Sequence, residues 1–121
     1  MMTTRLAPKR VVVQPWQFGF RVNEGHLKVD VGGGDPPAIK FVNQTHFVVQ
    51  VQFAMPFLVD PRDPGQPLRT LTLPDHVPVE CGLLEDAQGW YPYEVQVMLH
   101  CGGLDYIEAS GGSRPDVDIQ R

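Results

Sequence analysis

Residues 38–53 read AIKFVNQTHFVVQVQF, and the second half of this stretch decides the fold class. In that half, alternate apolar side chains share one side of an extended chain: Phe47, Val49, Val51 and Phe53. Successive side chains of a β-strand point to opposite faces, so this alternation is typical of a strand with one face in a core. We therefore predict strands over residues 38–43 and 46–53.

The rest of the chain has the same character. Its 12 prolines and 12 glycines recur at short intervals and leave no room for a long helix. The runs between them are rich in Val, Phe, Tyr and Ile, and we predict further strands at 11–20, 26–31, 68–73, 78–81, 91–99, 105–110 and 116–120. A tight hairpin turn is predicted at 23–25, an irregular crossover at 54–67 and at most one short helical turn, at 83–88. Short strands separated by turns predict an all-β sandwich.

Length and charge limit the organisation and the partners. A chain of 121 residues fits one domain, with a flexible N-terminal segment at 1–10 and a single β-sandwich over 11–121. The net charge is -4 and the one basic run is Pro8-Lys9-Arg10, which argues against a nucleic-acid partner. No stretch approaches the roughly 20 apolar residues of a membrane span, and no signal peptide is evident. We expect a cytoplasmic protein with no membrane partner.

No catalytic motif stands out, so an enzyme is not expected. Neither a triad, a calcium loop nor a phosphate-binding loop is suggested by the spacing of the polar residues. Cys81 and Cys101 are twenty positions apart and match neither CxxC nor zinc-type spacing. Two free thiols are therefore favoured over a disulfide, which is the alternative.

Two places in the chain carry a resemblance to a known family. In residues 38–53 a hydrophobic strand ends in Asn43, and His46 follows shortly before the next strand. In GWYPYEVQV, residues 89–97, a Tyr-x-Tyr motif precedes Val95 by two positions. Both places are similar to motifs of the cupredoxins, the Greek-key β-sandwiches of the blue-copper proteins. The resemblance implies that fold, with His46 at the position of a copper-binding His and Val95 at that of the copper-binding Cys.

The residue at position 95 argues against a copper function. A blue-copper centre needs a thiolate together with two imidazoles, and valine supplies no ligand. The resemblance also implies a His followed by a Met downstream, whereas this chain has Met98 before His100. Alternation places both side chains on the outer face of their strand. We therefore predict a cupredoxin-like fold without a type 1 copper site and without a cofactor.

Binding of a different metal is the alternative function. Met98, His100 and Cys101 are ligands that suit Cu(I) or Zn, and the two glycines after them allow the chain to bend. With His46 added, three or four ligands could meet. The competing interpretation is structural: an exposed Met and His, followed by a small buried Cys.

The favoured function is that of a non-catalytic binding or interaction module with an unknown protein partner. Residues 55–59 form an apolar run in a proline-rich segment, which predicts a contact surface made by Met55, Phe57 and Leu58. Pro15 predicts an edge strand or a bulge, because proline cannot donate to a sheet ladder. An edge near Trp16 offers a route to self-association, so a homodimer is expected.

Overall fold

The computed structural model of the chain describes residues 7–17, 19–99, 103–107 and 114–121, with only the backbone at 104–107. These residues form strands joined by turns and contain no helix, which confirms the all-β class. No described segment is a helix of the length and apolarity that crossing a membrane requires. The strands are β1 (Lys9–Trp16), β2 (Gly19–Val22), β3 (His26–Asp30), β4 (Ala38–Asn43), β5 (Val48–Gln52), β6 (Val59–Asp60), β7 (Asp63–Pro67), β8 (Thr70–Leu73), β9 (Val79–Gly82), β10 (Gly89–Pro92), β11 (Glu94–Met98), β12 (Leu104–Ile107) and β13 (Asp116–Gln120).

The described strands assemble into three larger sheets and one hairpin. The β1 sheet has the order β2-β1-β4-β9, and the β5 sheet has the order β12-β11-β5-β8. A third sheet has the order β10-β13-β3, and β6 pairs with β7 alone. Two pairs are parallel, β1 with β4 and β13 with β3. Parallel pairs cannot be closed by a short hairpin, so the chain crosses between sheets several times.

The core lies between the β1 sheet and the β5 sheet. Alternate side chains of the 46–53 stretch are buried, as predicted: Val49, Val51 and Phe53. Phe41 of β4 meets the ring of Phe53 edge-on, with centroids 6.0 Å apart. Phe20 of β2 meets Phe47 in the same manner at 5.6 Å. The two sheets therefore share one apolar interior, as in a β-sandwich.

The predicted strand at 11–20 is two strands in the structure. β1 ends at Trp16, Gln17 takes a positive φ of 50°, and the chain folds back into β2. β4 pairs with β1 only over residues 9–13, so Pro15 lies where β1 is paired on one side, and its missing N–H is tolerated. β1 also begins at Lys9, two residues before the predicted domain boundary. Residues 1–6 of the predicted flexible segment lie outside the described residues.

The turn at 23–25 does not close a hairpin. β2 pairs with β1 and β3 pairs with β13, so these residues carry the chain from one sheet to another. Asn23 holds this crossing against β1, because its Oδ1 accepts from the Val12 N–H at 2.8 Å and its Nδ2 donates to the Arg10 carbonyl at 3.2 Å. The chain does bend at residues 23–25, but the prediction that this bend joins two paired strands is wrong.

The predicted strand at 91–99 also divides between two sheets. β10 pairs with β13 and β11 pairs with β5, and the break falls at Tyr93. The Tyr93 N–H donates to the Pro115 carbonyl at 2.9 Å, which secures the break to the start of β13. At 83–88 the chain makes a turn, in which the Ala87 N–H donates to the Leu84 carbonyl at 3.1 Å, and no helical turn forms. The crossover at 54–67 contains the hairpin of β6 and β7.

Candidate functional site

The solvent-facing side of the β5 sheet has two ends, and each carries a candidate site. At the groove end, Gln52 of β5 lies opposite Thr70 of β8 and Glu94 of β11. At the histidine end, which follows the loop that bears His46, Val48 lies opposite Met98. A strand rises about 3.3 Å per residue, so β11 separates the two ends by about 13 Å.

Asn43 shapes the histidine end. Its amide donates to the carbonyls of Phe47 at 2.8 Å and Leu73 at 3.1 Å. Its Oδ1 accepts from the Thr45 N–H at 2.9 Å and from the Thr45 hydroxyl at 2.7 Å. Both residues are fully buried, where an unpaired polar group would be costly. This network fixes the path of the loop that presents His46.

His46 is exposed and shares a carboxylate with a second histidine. Its Nδ1 lies 3.6 Å from Asp75 Oδ2, and Nδ1 of His76 contacts Asp75 Oδ1. The two imidazole rings have centroids 5.8 Å apart. Both Nδ1 atoms are thus turned toward the same carboxylate. Among the described residues, no group of three or more His, Cys, Asp or Glu side chains is arranged to hold a metal ion.

The strand register separates Val95 from His46. Val95 is fully buried, as its alternation predicts, but its partner on β5 is Val51, five residues along the chain from His46. Met98 lies opposite Val48, two residues after His46, and its side chain is exposed, as predicted. His100 and Cys101, the remaining predicted ligands, lie outside the described residues.

Phe57 and Leu58 are buried, so the prediction that they form a contact surface is wrong. Phe57 packs between two aromatic rings, with centroids 5.4 Å from Phe53 and 5.0 Å from Tyr91. The Leu58 carbonyl accepts from the Leu68 N–H at 2.8 Å. The proline-rich segment turns inward at this point and completes the core instead of extending into solvent.

Met55 and Trp16, the other two predicted contact residues, are exposed. Met55 retains 48% and Trp16 retains 47% of its accessible surface. The guanidinium carbon of Arg21 lies 3.7 Å from the centroid of the Trp16 ring, a cation–π contact that orients the indole. The two residues belong to different parts of the fold, since Met55 lies at the groove end and Trp16 ends β1.

The groove is a concave site of about 330 Å³ that includes Met55. The buried rings of Phe53 and Tyr93 lie beneath it, with centroids 6.2 Å apart, and the apolar surface that stays open belongs to Ala54, Met55 and Pro92. Its lining combines apolar, amide, hydroxyl and charged groups: Gln52, Phe53, Ala54, Met55, Arg69, Thr70, Pro92, Tyr93, Glu94 and Arg114. Ligand pockets typically measure roughly 300–1,000 Å³ and place a few polar groups on an apolar lining, so this groove suits a small ligand or part of a peptide.

Two arginines line the groove from connecting segments, Arg69 just before β8 and Arg114 just before Pro115 and β13. The Arg69 carbonyl accepts from the Phe53 N–H at 2.9 Å, which holds Arg69 at the start of β8. Arg114 precedes Pro115, whose carbonyl accepts from Tyr93 at 2.9 Å. Neither guanidinium group forms an ion pair with a side chain of the described residues. Within the part of the chain that the structure describes, both positive charges are left to meet a ligand.

Two buried side chains have raised pKa values: Tyr93, beside the groove, and Cys81, on β9. Burial, with a smaller effect of the Asp116 charge, raises the pKa of Tyr93, and the Tyr93 hydroxyl has no hydrogen-bond partner among the described residues. Burial, followed by the charges of Asp60 and Glu80, raises the pKa of Cys81 to about 12. Cys81 is a free thiol. Both groups stay protonated and uncharged at neutral pH, so neither supplies a nucleophile.

Local sequence patterns hardly indicate the groove. Arg69 and Arg114 are 45 positions apart, and each is an isolated charge beside a loop. Only the order β11-β5-β8 and the link between Tyr93 and Pro115 bring them to one end of a sheet. The one available signal was Met55, an exposed apolar residue in the segment that forms the groove wall.

Comparisons with protein-family models, with curated proteins and with solved structures give no match.

Proposed function

We propose that this chain is a non-catalytic binding module of cupredoxin-like, Greek-key topology, without a type 1 copper site. Non-consecutive strands are neighbours in both main sheets, β1 beside β4 and β5 beside β11, which supports a Greek-key connection. The observation that carries the binding function is the groove, a preformed concavity with open apolar surface at Met55 and two arginines without an ion-pair partner in the described part of the chain. Met55, which the sequence analysis predicted as a contact residue, lines this groove.

The proposal is tested by NMR mapping with a set of small neutral, cationic and anionic fragments. We expect backbone shifts to cluster at Ala54, Thr70 and Glu94, and we expect Met55→Asp to abolish them by placing a charge in the groove wall. Val77→Asp is the matched control, because Val77 is exposed to a similar extent, 52%, and does not line the groove. Shifts that cluster elsewhere, or no shifts at all, would refute the proposal.

Self-association is a further part of the proposed module. The exposed half of Trp16 and the one-sided pairing of residues 14–16 support a homodimer through the end of the β1–β2 hairpin. An unpaired strand edge is a template for a second chain. Sedimentation of the wild type and of Trp16→Ser tests this, and a monomer at all concentrations for both proteins would contradict it.

Metal binding through His46, His100 and Cys101, with Met98, is the second candidate function. The observation that favours it is the register that places Met98 opposite Val48, close to the loop of His46. Incubation with Cu and Zn salts followed by elemental analysis tests it. A stoichiometric metal that is lost in His46→Ala would support this function, and a metal-free protein after dialysis would exclude it.

A further inference from the structure

The charge of the groove differs in sign from that of the whole chain. The chain carries a net charge of -4, whereas the groove contains two arginines and one carboxylate, Glu94. No described side chain neutralises either arginine through an ion pair. The groove is thus a local positive site on a negative molecule. Such a site attracts an anionic group and orients it as it approaches.

The donor chemistry of the two arginines, together with the nearby carboxylate of Glu94, favours a carboxylate ligand. Arginine offers planar, paired N–H donors that match the two oxygens of a carboxylate or of a phosphate. Glu94 lies on the same face and opposes a second negative charge, so the site accommodates a singly charged group better than a dianion. Gln52 and Thr70 stand in the same row across the sheet and offer further hydrogen-bond donors.

The rest of the groove is suited to an apolar body attached to that anion. Ala54, Met55 and Pro92 supply its open apolar surface, above the buried rings of Phe53 and Tyr93. Methionine is flexible and adapts to aromatic and aliphatic surfaces. A hydrophilic anion alone would leave this apolar surface uncovered, whereas an anion that carries an aromatic or aliphatic group would cover it.

We propose that the groove binds a carboxylate carried next to an apolar group, with Arg69 and Arg114 as its two anion contacts. This inference rests on the proposed binding function and names its ligand class. Two sources share this chemistry: a free organic acid, and the C-terminal carboxylate of a peptide that ends in an apolar residue. In both cases the carboxylate meets the two arginines and the apolar group covers the open surface of Ala54, Met55 and Pro92.

The test compares N-acetyl-phenylalanine with N-acetyl-phenylalaninamide, which has the same body without the carboxylate. NMR titration of the full chain gives both affinities from the shifts of Thr70 and Glu94. We expect the acid to bind at least about tenfold more tightly than the amide, and Arg69→Gln and Arg114→Gln each to remove about tenfold of the acid affinity and none of the amide affinity. Arg62→Gln is the matched control, because Arg62 is exposed, pairs with Asp60 and does not line the groove.

Two further ligands complete the test. If the peptide N-acetyl-Ala-Ala-Phe binds at least tenfold more tightly than N-acetyl-phenylalanine, the natural ligand is a peptide C terminus. If the peptide and N-acetyl-phenylalanine bind equally tightly, the natural ligand is a free organic acid. Equal affinities of the acid and its amide, or tighter binding of inorganic phosphate, would overturn the inference and leave the binding module intact. Absence of any groove response to all four ligands would also overturn the inference, and the fragment mapping then decides separately on the binding function.

Discussion

The ring of Phe57 stacks on the ring of Tyr91, with centroids 5.0 Å apart and planes inclined at 28°. Phe57 is fully buried, although it lies two residues from Met55, which keeps 48% of its surface exposed. One short segment thus contributes both to the core and to the wall of the groove. This division separates the residues that hold the fold together from those that are free to bind.

Substitutions of Phe57 and Met55 should differ strongly in their effect on stability. Phe57→Ala removes a buried aromatic ring and leaves a cavity, so we expect the free energy of unfolding to fall by about 3–5 kcal/mol. Met55→Ala removes an exposed side chain, and we expect a change within about 0.5 kcal/mol. Urea denaturation followed by fluorescence measures both values. Equal stability losses for the two variants would contradict the burial of Phe57.

Tyr93→Phe is expected to leave stability unchanged or to raise it by about 1 kcal/mol, because it removes a buried hydroxyl that lacks a hydrogen-bond partner among the described residues. The aromatic contact with Phe53 remains in the variant. Thermal unfolding measures the difference. A loss of about 2 kcal/mol or more would show that the hydroxyl is paired.

Asn43→Ala should destabilise the protein by about 3 kcal/mol, because it removes four hydrogen bonds and leaves the buried N–H of Thr45 unpaired. The neighbouring Gln44→Ala is the control, since Gln44 is exposed. Chemical denaturation compares the two variants. The account of the loop that bears His46 fails if both variants unfold at the same denaturant concentration.

The raised pKa of Cys81 predicts a pH dependence at the alkaline end. The fold shifts the pKa of the thiol from 9.0 to about 12, mainly by burial, and so favours its neutral form. The stabilising contribution is complete below pH 9 and is lost as the pH rises from 9 toward 12, because the unfolded chain ionises first. The free energy of unfolding should therefore fall more steeply in the wild type than in Cys81→Ala over this window. Parallel curves for the two proteins would contradict the burial of the thiol.

Local patterns predicted the elements of this fold better than their partners. The strands at 38–43 and 116–120 match β4 and β13, because the alternation of apolar side chains and the flanking turn residues both act within a few positions. Residues 11–20 and 91–99 looked continuous, yet each is two strands, since the breaks at Gln17 and Tyr93 depend on partners elsewhere in the chain. The pattern shows which face is apolar but not which sheet a strand joins.

The candidate site was less predictable for the same reason. Met55 was predicted as a contact residue from its own apolar neighbourhood, whereas Phe57 and Leu58 share that neighbourhood and are buried. Only tertiary packing against Tyr91 and Leu68 distinguishes them. Arg69 and Arg114 approach each other through the strand order, which no local pattern of charge records.

The most direct measurement of the binding site is a methyl NMR titration of the ¹³C-methionine-labelled chain with N-acetyl-phenylalanine. Met55 lines the groove, and Met98 lies at the histidine end, about 13 Å farther along β11 than Glu94. We expect the Met55 signal to shift in a saturable manner while the Met98 signal stays in place. A Met55 signal that does not respond, or a response confined to Met98, would contradict a binding site in the groove.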